Sequence, residues 1–160
     1  MKKFSSQQLS RAAIIAALYA ALTIPLGALS SQSILQIRPA EALTILPILF
    51  FEAVPGLAIG CMLANLISGF GIYDVIFGSI ITFIAAFLTR KIKKPLLAAL
   101  PPVILNAVLL PLLWLALDAK TIYIYSFLST LLTQAIWIYG LGIPLYYIFI
   151  RRKIGQKTNK

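Results

Sequence analysis

Few residues in this chain of 160 can do chemistry, and several of them lie close together. The stretch QIRPAEALTILPILFFEAVPG places Arg38, Glu41 and Glu52 among apolar residues, and Asp74 follows it. A carboxylate accepts N–H donors and a guanidinium donates to carbonyl oxygens. Charged groups in so apolar a setting are costly and usually face a cavity or one another. The pattern favours recognition of a small polar solute.

Amide and aromatic side chains extend this set. Asn65, Asn106 and Gln134 each lie within an apolar run, where unpaired amides are also costly. Aromatic rings close to these positions can stack a flat ligand. We therefore expect an outward-facing polar pocket. The predicted substrate-binding residues are Arg38, Glu41, Asn65, Asp74, Asn106, Tyr123, Tyr125, Gln134 and Trp137.

Several kinds of chemistry find no support in the sequence. The chain has no histidine and a single cysteine, Cys61, so a zinc site, a Ser-His pair and an intramolecular disulfide are not expected. No phosphate-binding G-x-x-x-x-G-K-[ST] loop is present, so ATP hydrolysis is not expected either. We predict no catalytic residue, metal or cofactor, and a protein that is not an enzyme; a membrane-embedded enzyme stays as an alternative.

The elements that position these residues are long apolar segments. Hydrophobic residues make up 61% of the chain, well above the usual 45–50% of a soluble domain. We predict an all-α integral membrane protein, a single domain of six transmembrane helices. The predicted spans are 9–28, 40–51, 54–69, 73–89, 96–117 and 122–150.

Charge placement chooses between two arrangements of the short second and third segments. They form either a hairpin that turns at EAVPG or one helix kinked at Pro55. With the hairpin, all of the 14 basic residues except Arg38 and Lys120 fall on one side. Such asymmetry is typical of a cytoplasmic face. We therefore expect cytoplasmic N and C termini in the cell membrane and no nucleic-acid partner, despite the net charge of +10.

Structural interpretations of the polar residues remain open at this stage. Arg38 and Glu41 can simply pair, Asp74 can cap the fourth helix, and the asparagines can join helices. Tyr123, Tyr125 and Trp114 are also typical of the aromatic belt at a membrane surface. Glu52 is expected to pair with a basic neighbour. The loop 29–37 is either a mobile lid or an ordinary connection.

Small residues recur in the first span at intervals of four. Such spacing makes a smooth helix face that another helix can approach closely. This pattern indicates either internal packing or a partner interface. The two parallel sets are Ala12, Ala16 and Ala20, and Ala13, Ala17 and Ala21.

Three motifs between residues 36 and 91 resemble one family. They are R-x-x-E-A-L-x-x-L-P, P-G-L-x-x-G-C-x-x-A-N and D-V-I-F-G-S. Together they resemble the QueT family, substrate-binding S-components of energy-coupling factor (ECF) transporters. The resemblance implies six membrane helices, capture of a solute from outside, and a complex with a membrane T-component and two ATPase subunits. It also implies that one of the two alanine sets meets the T-component.

The proposed substrates of that family are queuosine precursors, which are deazaguanine bases. The resemblance thus implies a carboxylate for the N–H edge of the base, with Glu41 as first choice and Asp74 as second. Arg38, Asn65 or Asn106 would meet its carbonyl oxygen, and Tyr123, Tyr125 or Trp137 would stack on the ring. Two alternatives remain: an S-component for another vitamin or an aromatic amino acid, and a stand-alone ion-coupled carrier.

Overall fold

The computed structural model describes residues 4–26, 37–69, 71–117 and 122–158, with side chains described through residue 151. Every regular element in these ranges is helical, which confirms the predicted all-α class. We number six helices in chain order. They are α1 (Ser6–Leu26), α2 (Pro39–Ile48), α3 (Ala53–Ser68), α4 (Asp74–Gly78, continuing as Ser79–Lys91), α5 (Pro95–Leu117) and α6 (Tyr123–Trp137, Ile138–Gly142 and Ile143–Thr158).

Each of the six predicted apolar segments corresponds to one of these helices. Within the described ranges, three helical stretches are long and apolar enough to cross a bilayer: Ser6–Leu26, Pro95–Leu117 and Tyr123–Arg151. Helices α2 and α3 are apolar but shorter, with 10 and 16 residues. A crossing of the bilayer by all six helices stays a prediction.

Helices α1 and α3 run parallel at very short distance because glycine lines their contact. An added Cβ on Gly56 would lie 2.8 Å from the carbonyl oxygen of Ala12. An added Cβ on Gly60 would lie 2.8 Å from Tyr19 Cβ and 2.9 Å from the carbonyl oxygen of Ala16. The order of these contacts along both helices sets their parallel direction, and only glycine allows so close an approach.

Helix α2 runs antiparallel to α1. Its Glu41 meets Tyr19, and Phe50, just beyond its end, lies under the Arg11 guanidinium at 5.6 Å from the ring centroid. Since α3 then returns parallel to α1, α2 and α3 form a hairpin and not one kinked helix. This bears out the hairpin that charge placement favoured.

The turn of this hairpin lies earlier than the EAVPG motif suggested. Helix α2 ends at Ile48 and α3 already begins at Ala53, so Pro55 lies in the first turn of α3. A proline there costs no hydrogen bond, because the first N–H groups of a helix lack intrahelical partners. Gly56 serves the contact with α1 and makes no turn.

The start of α1, the α2–α3 turn and the end of α4 meet at one end of the bundle, which we call the basic end. The Arg11 guanidinium forms an ion pair of 3.1 Å with Glu52, whose side chain is buried. The Arg90 guanidinium donates to the Pro47 carbonyl oxygen at 3.3 Å. The predicted pairing of Glu52 with a basic neighbour is confirmed.

Helices α5 and α6 continue the alternation of helix direction in the bundle. The Thr89 hydroxyl donates to the Ala98 carbonyl oxygen, so α5 starts where α4 ends. Tyr139 in α6 donates to the carbonyl oxygen of Leu96 near the start of α5. Phe149 near the end of α6 packs edge-to-face on Phe50 at 5.7 Å. The beginning of α1 and the later part of α6 therefore lie at the same end of the bundle.

Helix α2 is the central element. Residues 40–47 are buried on every side, in keeping with an apolar helix enclosed by its neighbours. It is a 3₁₀-helix throughout, in which side chains three residues apart eclipse one another. Glu41 and Thr44 therefore project from one line along this helix, and Arg38 is the N-cap residue that precedes its first turn.

The two alanine sets of α1 face different surroundings. Ala16 is buried against Gly60 of α3, and Ala12 contacts Gly56. Ala13, Ala17 and Ala21 are exposed on a neighbouring face, about 100° around the helix from the first set. The first set thus serves packing inside the bundle, and only the second set lies open as a smooth outer face.

We expect Gly60→Ala to destabilise the bundle by about 1–3 kcal/mol, because its methyl group would overlap backbone atoms of α1. Thermal unfolding of the detergent-solubilised protein measures this loss. Gly140→Ala is the matched control, since an added Cβ there meets nothing within 4 Å. Equal melting temperatures for the two variants would contradict the close α1–α3 contact.

Candidate functional site

A buried carboxylate lies at the centre of the candidate site. Glu41 is 1% exposed, and its Oε1 accepts a hydrogen bond of 2.7 Å from the Tyr19 hydroxyl of α1. Its Oε2 accepts a longer one, 3.5 Å, from the Asn106 amide of α5. A carboxylate kept from water must be compensated by such donors.

Two further side chains, Arg38 and Gln134, complete this group. We call it the Glu41 cluster; its members are Tyr19, Arg38, Glu41, Asn106 and Gln134. Arg38, at the start of α2, is buried and interacts electrostatically with the carboxylate. Gln134 of α6 is a hydrogen-bonding neighbour of the same carboxylate. The structure thus brings together four of the predicted residues: Arg38, Glu41, Asn106 and Gln134.

Helix α6 makes a close contact with α2 eight residues after Gln134. An added Cβ on Gly142 would lie 2.8 Å from the carbonyl oxygen of Ala42, next to Glu41. Gly142 ends the π-helical turn Ile138–Gly142, which directly follows the helical segment that carries Gln134. Such turns interrupt the regular repeat and are frequent at functional sites.

Asn65 and Asp74 form a separate interhelical link. The Asn65 amide donates to the Asp74 carbonyl oxygen at 2.9 Å and contacts Cys61 Sγ at 3.5 Å. The Asp74 carboxylate accepts a bond of 3.0 Å from the Trp114 indole N–H. Asp74 therefore joins α4 to α5, and the interpretation of its side chain as a helix cap is wrong.

The predicted stacking residues lie on α6 at different depths. Tyr123 stacks on Phe127, with ring centroids 6.2 Å apart, and its hydroxyl contacts the Val108 carbonyl oxygen at 3.5 Å. Trp137 is half-buried, whereas Tyr125 is exposed. Their stacking on a ligand stays a prediction. The loop 29–37, considered as a lid, lies outside the described residues except for Ile37.

Sequence reasoning missed Tyr19, which donates the shortest hydrogen bond to Glu41. The alanine repeats drew attention to a different property of the first span. A signal did exist: Tyr19 and Thr23 are polar residues one turn apart in that span, and both are buried. The Thr23 hydroxyl donates to the Tyr19 carbonyl oxygen and so adds to the local packing.

An apolar groove of about 290 Å³ lies elsewhere, between α1, α2 and α6. It is lined by aliphatic and aromatic side chains such as Leu18, Leu46 and Phe149, with Arg11 at its edge. Its lining offers little to a solute with several hydrogen-bonding groups. The Glu41 cluster provides what such a solute needs, namely acceptors and donors in a dry surrounding.

Comparison with known proteins links this bundle to transport. The model of the QueT transporter family matches residues 9–151, which is most of the chain. No curated protein and no solved structure matches. The matched range includes every member of the Glu41 cluster.

We expect Tyr19→Phe to lower the free energy of unfolding by about 1.5–3 kcal/mol, because it removes a donor to a buried charged group. Tyr139→Phe is the control: its hydroxyl bonds a neutral carbonyl oxygen at an exposed position, so the loss is smaller. Equilibrium unfolding in detergent compares them. A Tyr19→Phe protein as stable as the parent would contradict the charged hydrogen bond.

Proposed function

Because this chain belongs to the QueT transporter family, we propose that it is the substrate-binding membrane subunit (S-component) of an ECF importer. Its substrate is a queuosine precursor, a deazaguanine base that it captures from outside the cell. The observation that carries the proposal is the buried carboxylate of Glu41, held between α1, α5 and α6 by polar side chains.

The chemistry of a guanine-type base fits this arrangement. Its ring N–H and exocyclic amino group lie side by side and can donate two parallel bonds to one carboxylate. An ionised carboxylate has about four acceptor positions, and Tyr19, Asn106 and Gln134 use three of them. The base therefore takes the fourth position and replaces the long Asn106 bond of 3.5 Å. Arg38 and the Asn106 amide carry donors that suit the adjacent carbonyl oxygen of the base.

The apolar surroundings add to the strength of such contacts. Helix α2 is buried over residues 40–47, so the carboxylate lies in a medium of low effective dielectric constant. Hydrogen bonds are electrostatically stronger there than in water, and unmatched groups are correspondingly costly. A site of this kind rejects solutes that lack the matching donors.

The charge distribution supports capture from outside. Arg11 and Arg90 lie at the basic end, and Lys91 follows at the end of α4. By the positive-inside rule this end faces the cytoplasm. Tyr19 lies eight residues beyond Arg11 in α1, which corresponds to roughly 12 Å along a helix axis. The Glu41 cluster is thereby displaced from the cytoplasmic end toward the outside.

Coupling to the importer needs a surface for the membrane T-component and, through it, for the two ATPase subunits. The exposed face of Ala13, Ala17 and Ala21 suits close helix–helix contact in a membrane. Ala12 and Ala16 are engaged with α3 and so do not offer such a surface. We assign the T-component contact to the exposed set.

We expect Glu41→Gln to weaken binding of 7-aminomethyl-7-deazaguanine by roughly 100-fold or more, because charge-assisted bonds contribute about 1.5–3 kcal/mol each. Glu52→Gln is the matched control, as it removes the buried carboxylate at the basic end and leaves the cluster intact. Binding of radiolabelled base to right-side-out vesicles compares both variants with the parent. Inside-out vesicles show which face of the protein binds the base.

Retained binding by the Glu41→Gln protein would contradict the assignment of the site. Binding by the parent protein that appeared only in inside-out vesicles would contradict the orientation.

We expect Ala17→Phe to abolish co-purification of the T-component while binding of the base persists, since the ring would protrude from the smooth face of α1. Ala116→Phe provides the control, because Ala116 is an exposed alanine on α5. Affinity purification of the tagged chain from cells expressing the whole importer measures assembly. Normal recovery of the T-component with Ala17→Phe would rule out this interface.

A further inference from the structure

Two polar atoms on one face of α6 are buried without a hydrogen-bond partner in the described part of the chain. They are Oγ1 of Thr130 and Oε1 of Gln134, in side chains that are 1% and 3% exposed. Residues four apart in a helix share a face, so the two atoms belong to one surface. An unmatched polar atom in a dry interior is destabilising, and such atoms call for an explanation.

Thr130 differs from other buried threonines of the bundle. The Thr133 hydroxyl donates to the Ser129 carbonyl oxygen at 2.9 Å, and the Thr23 hydroxyl to the Tyr19 carbonyl oxygen at the same distance. This bond to the preceding turn is the usual way in which a helical threonine satisfies itself. The Thr130 hydroxyl makes no such bond.

The orientation of the Gln134 amide follows from its neighbour. Its N–H group must face the Glu41 carboxylate, because the opposite orientation would bring two acceptor oxygens together. Oε1 is then the part of the amide that the carboxylate does not use. The unmatched acceptor of Gln134 therefore lies beside the carboxylate in the Glu41 cluster.

We propose that Thr130 and Gln134 form an acceptor subsite for the exocyclic amino group of the ligand. The inference rests on the proposed function and names two specificity-determining contacts within it. An exocyclic amine carries two N–H groups. When one of them pairs with the ring N–H to bind Glu41, the other points past the carboxylate. Gln134 Oε1 and the Thr130 hydroxyl are the acceptors on that side.

The subsite makes the amino group a criterion for selection. A guanine-type base offers the two acceptors one N–H group to share, whereas a hypoxanthine-type base, which lacks the amine, leaves both unmatched inside the protein. Sites that hydrogen-bond a substrate group reject analogues without it, because their own polar atoms stay unpaired. The structure thus assigns discrimination between these two bases to α6.

The test uses Thr130→Val, with Thr133→Val as the matched control three residues away on the same helix. The probes are 7-aminomethyl-7-deazaguanine and the same base without its 2-amino group, titrated calorimetrically against the purified full chain. We expect Thr130→Val to weaken binding of the first probe roughly tenfold, the worth of about one hydrogen bond. Thr133→Val should bind this probe as the parent does.

The second probe isolates the amino group. Removing the amine should weaken binding to both proteins, since both lose its bond to Glu41. The loss should be roughly tenfold smaller for the Thr130→Val protein, in which the Thr130 contact is already absent. The ligand-free melting temperature supplies an independent readout. Thr130→Val should not lower it, since it removes an unmatched atom, whereas Thr133→Val should lower it by loss of the bond to Ser129.

Each contrary result has a distinct meaning. A Thr130→Val protein with parental affinity for the first probe overturns the subsite and leaves the proposed substrate intact. An equal loss of affinity for both probes overturns the assignment to the amino group. If the parent binds neither probe, the proposed substrate fails and the subsite fails with it.

Discussion

The burial of one carboxylate is the constraint on which this bundle depends. Glu41 lies on a helix enclosed on every side, where an ionised group is tolerated only if donors surround it. The Tyr19 hydroxyl and the Asn106 amide come from helices far apart in sequence. Their convergence requires α1, α5 and α6 to pack around α2. The helix arrangement and the polar centre are therefore two aspects of the same structure.

Glycine makes this convergence possible. Gly60 lets α1 approach α3, and Gly142 lets α6 approach α2 at the carbonyl oxygen of Ala42. In both places a methyl group would lie within 3 Å of backbone atoms. Side chains of ordinary size would hold the helices further apart, and the hydrogen bonds to Glu41 would lengthen. The close packing of the helices and the hydrogen bonds to Glu41 thus depend on the same glycines.

The two buried carboxylates in the part of the chain that the structure describes are stabilised in different ways. Glu52 at the basic end forms an ion pair with Arg11, whose own side chain is 55% exposed. Glu41 lies deeper and relies on a phenol, amides and the neighbouring Arg38. The neutral donors among these, the phenol and the amides, can be exchanged for those of a solute more readily than a direct ion pair can. This contrast favours a structural role for Glu52 and ligand recognition by Glu41.

Hydropathy predicted the apolar helical segments, because the apolar content and helix propensity of a segment depend on its own residues. Charge placement likewise identified the α2–α3 hairpin and a basic partner for Glu52. Local patterns do not encode the rotation of a helix toward its neighbours. Only the tertiary structure showed that Tyr19 meets Glu41, that Asp74 turns to Trp114, and that Ala17 faces outward while Ala16 packs inside. The contact between Glu41 and Asn106 spans 65 residues of sequence, so packing of distant segments and not periodicity decided it.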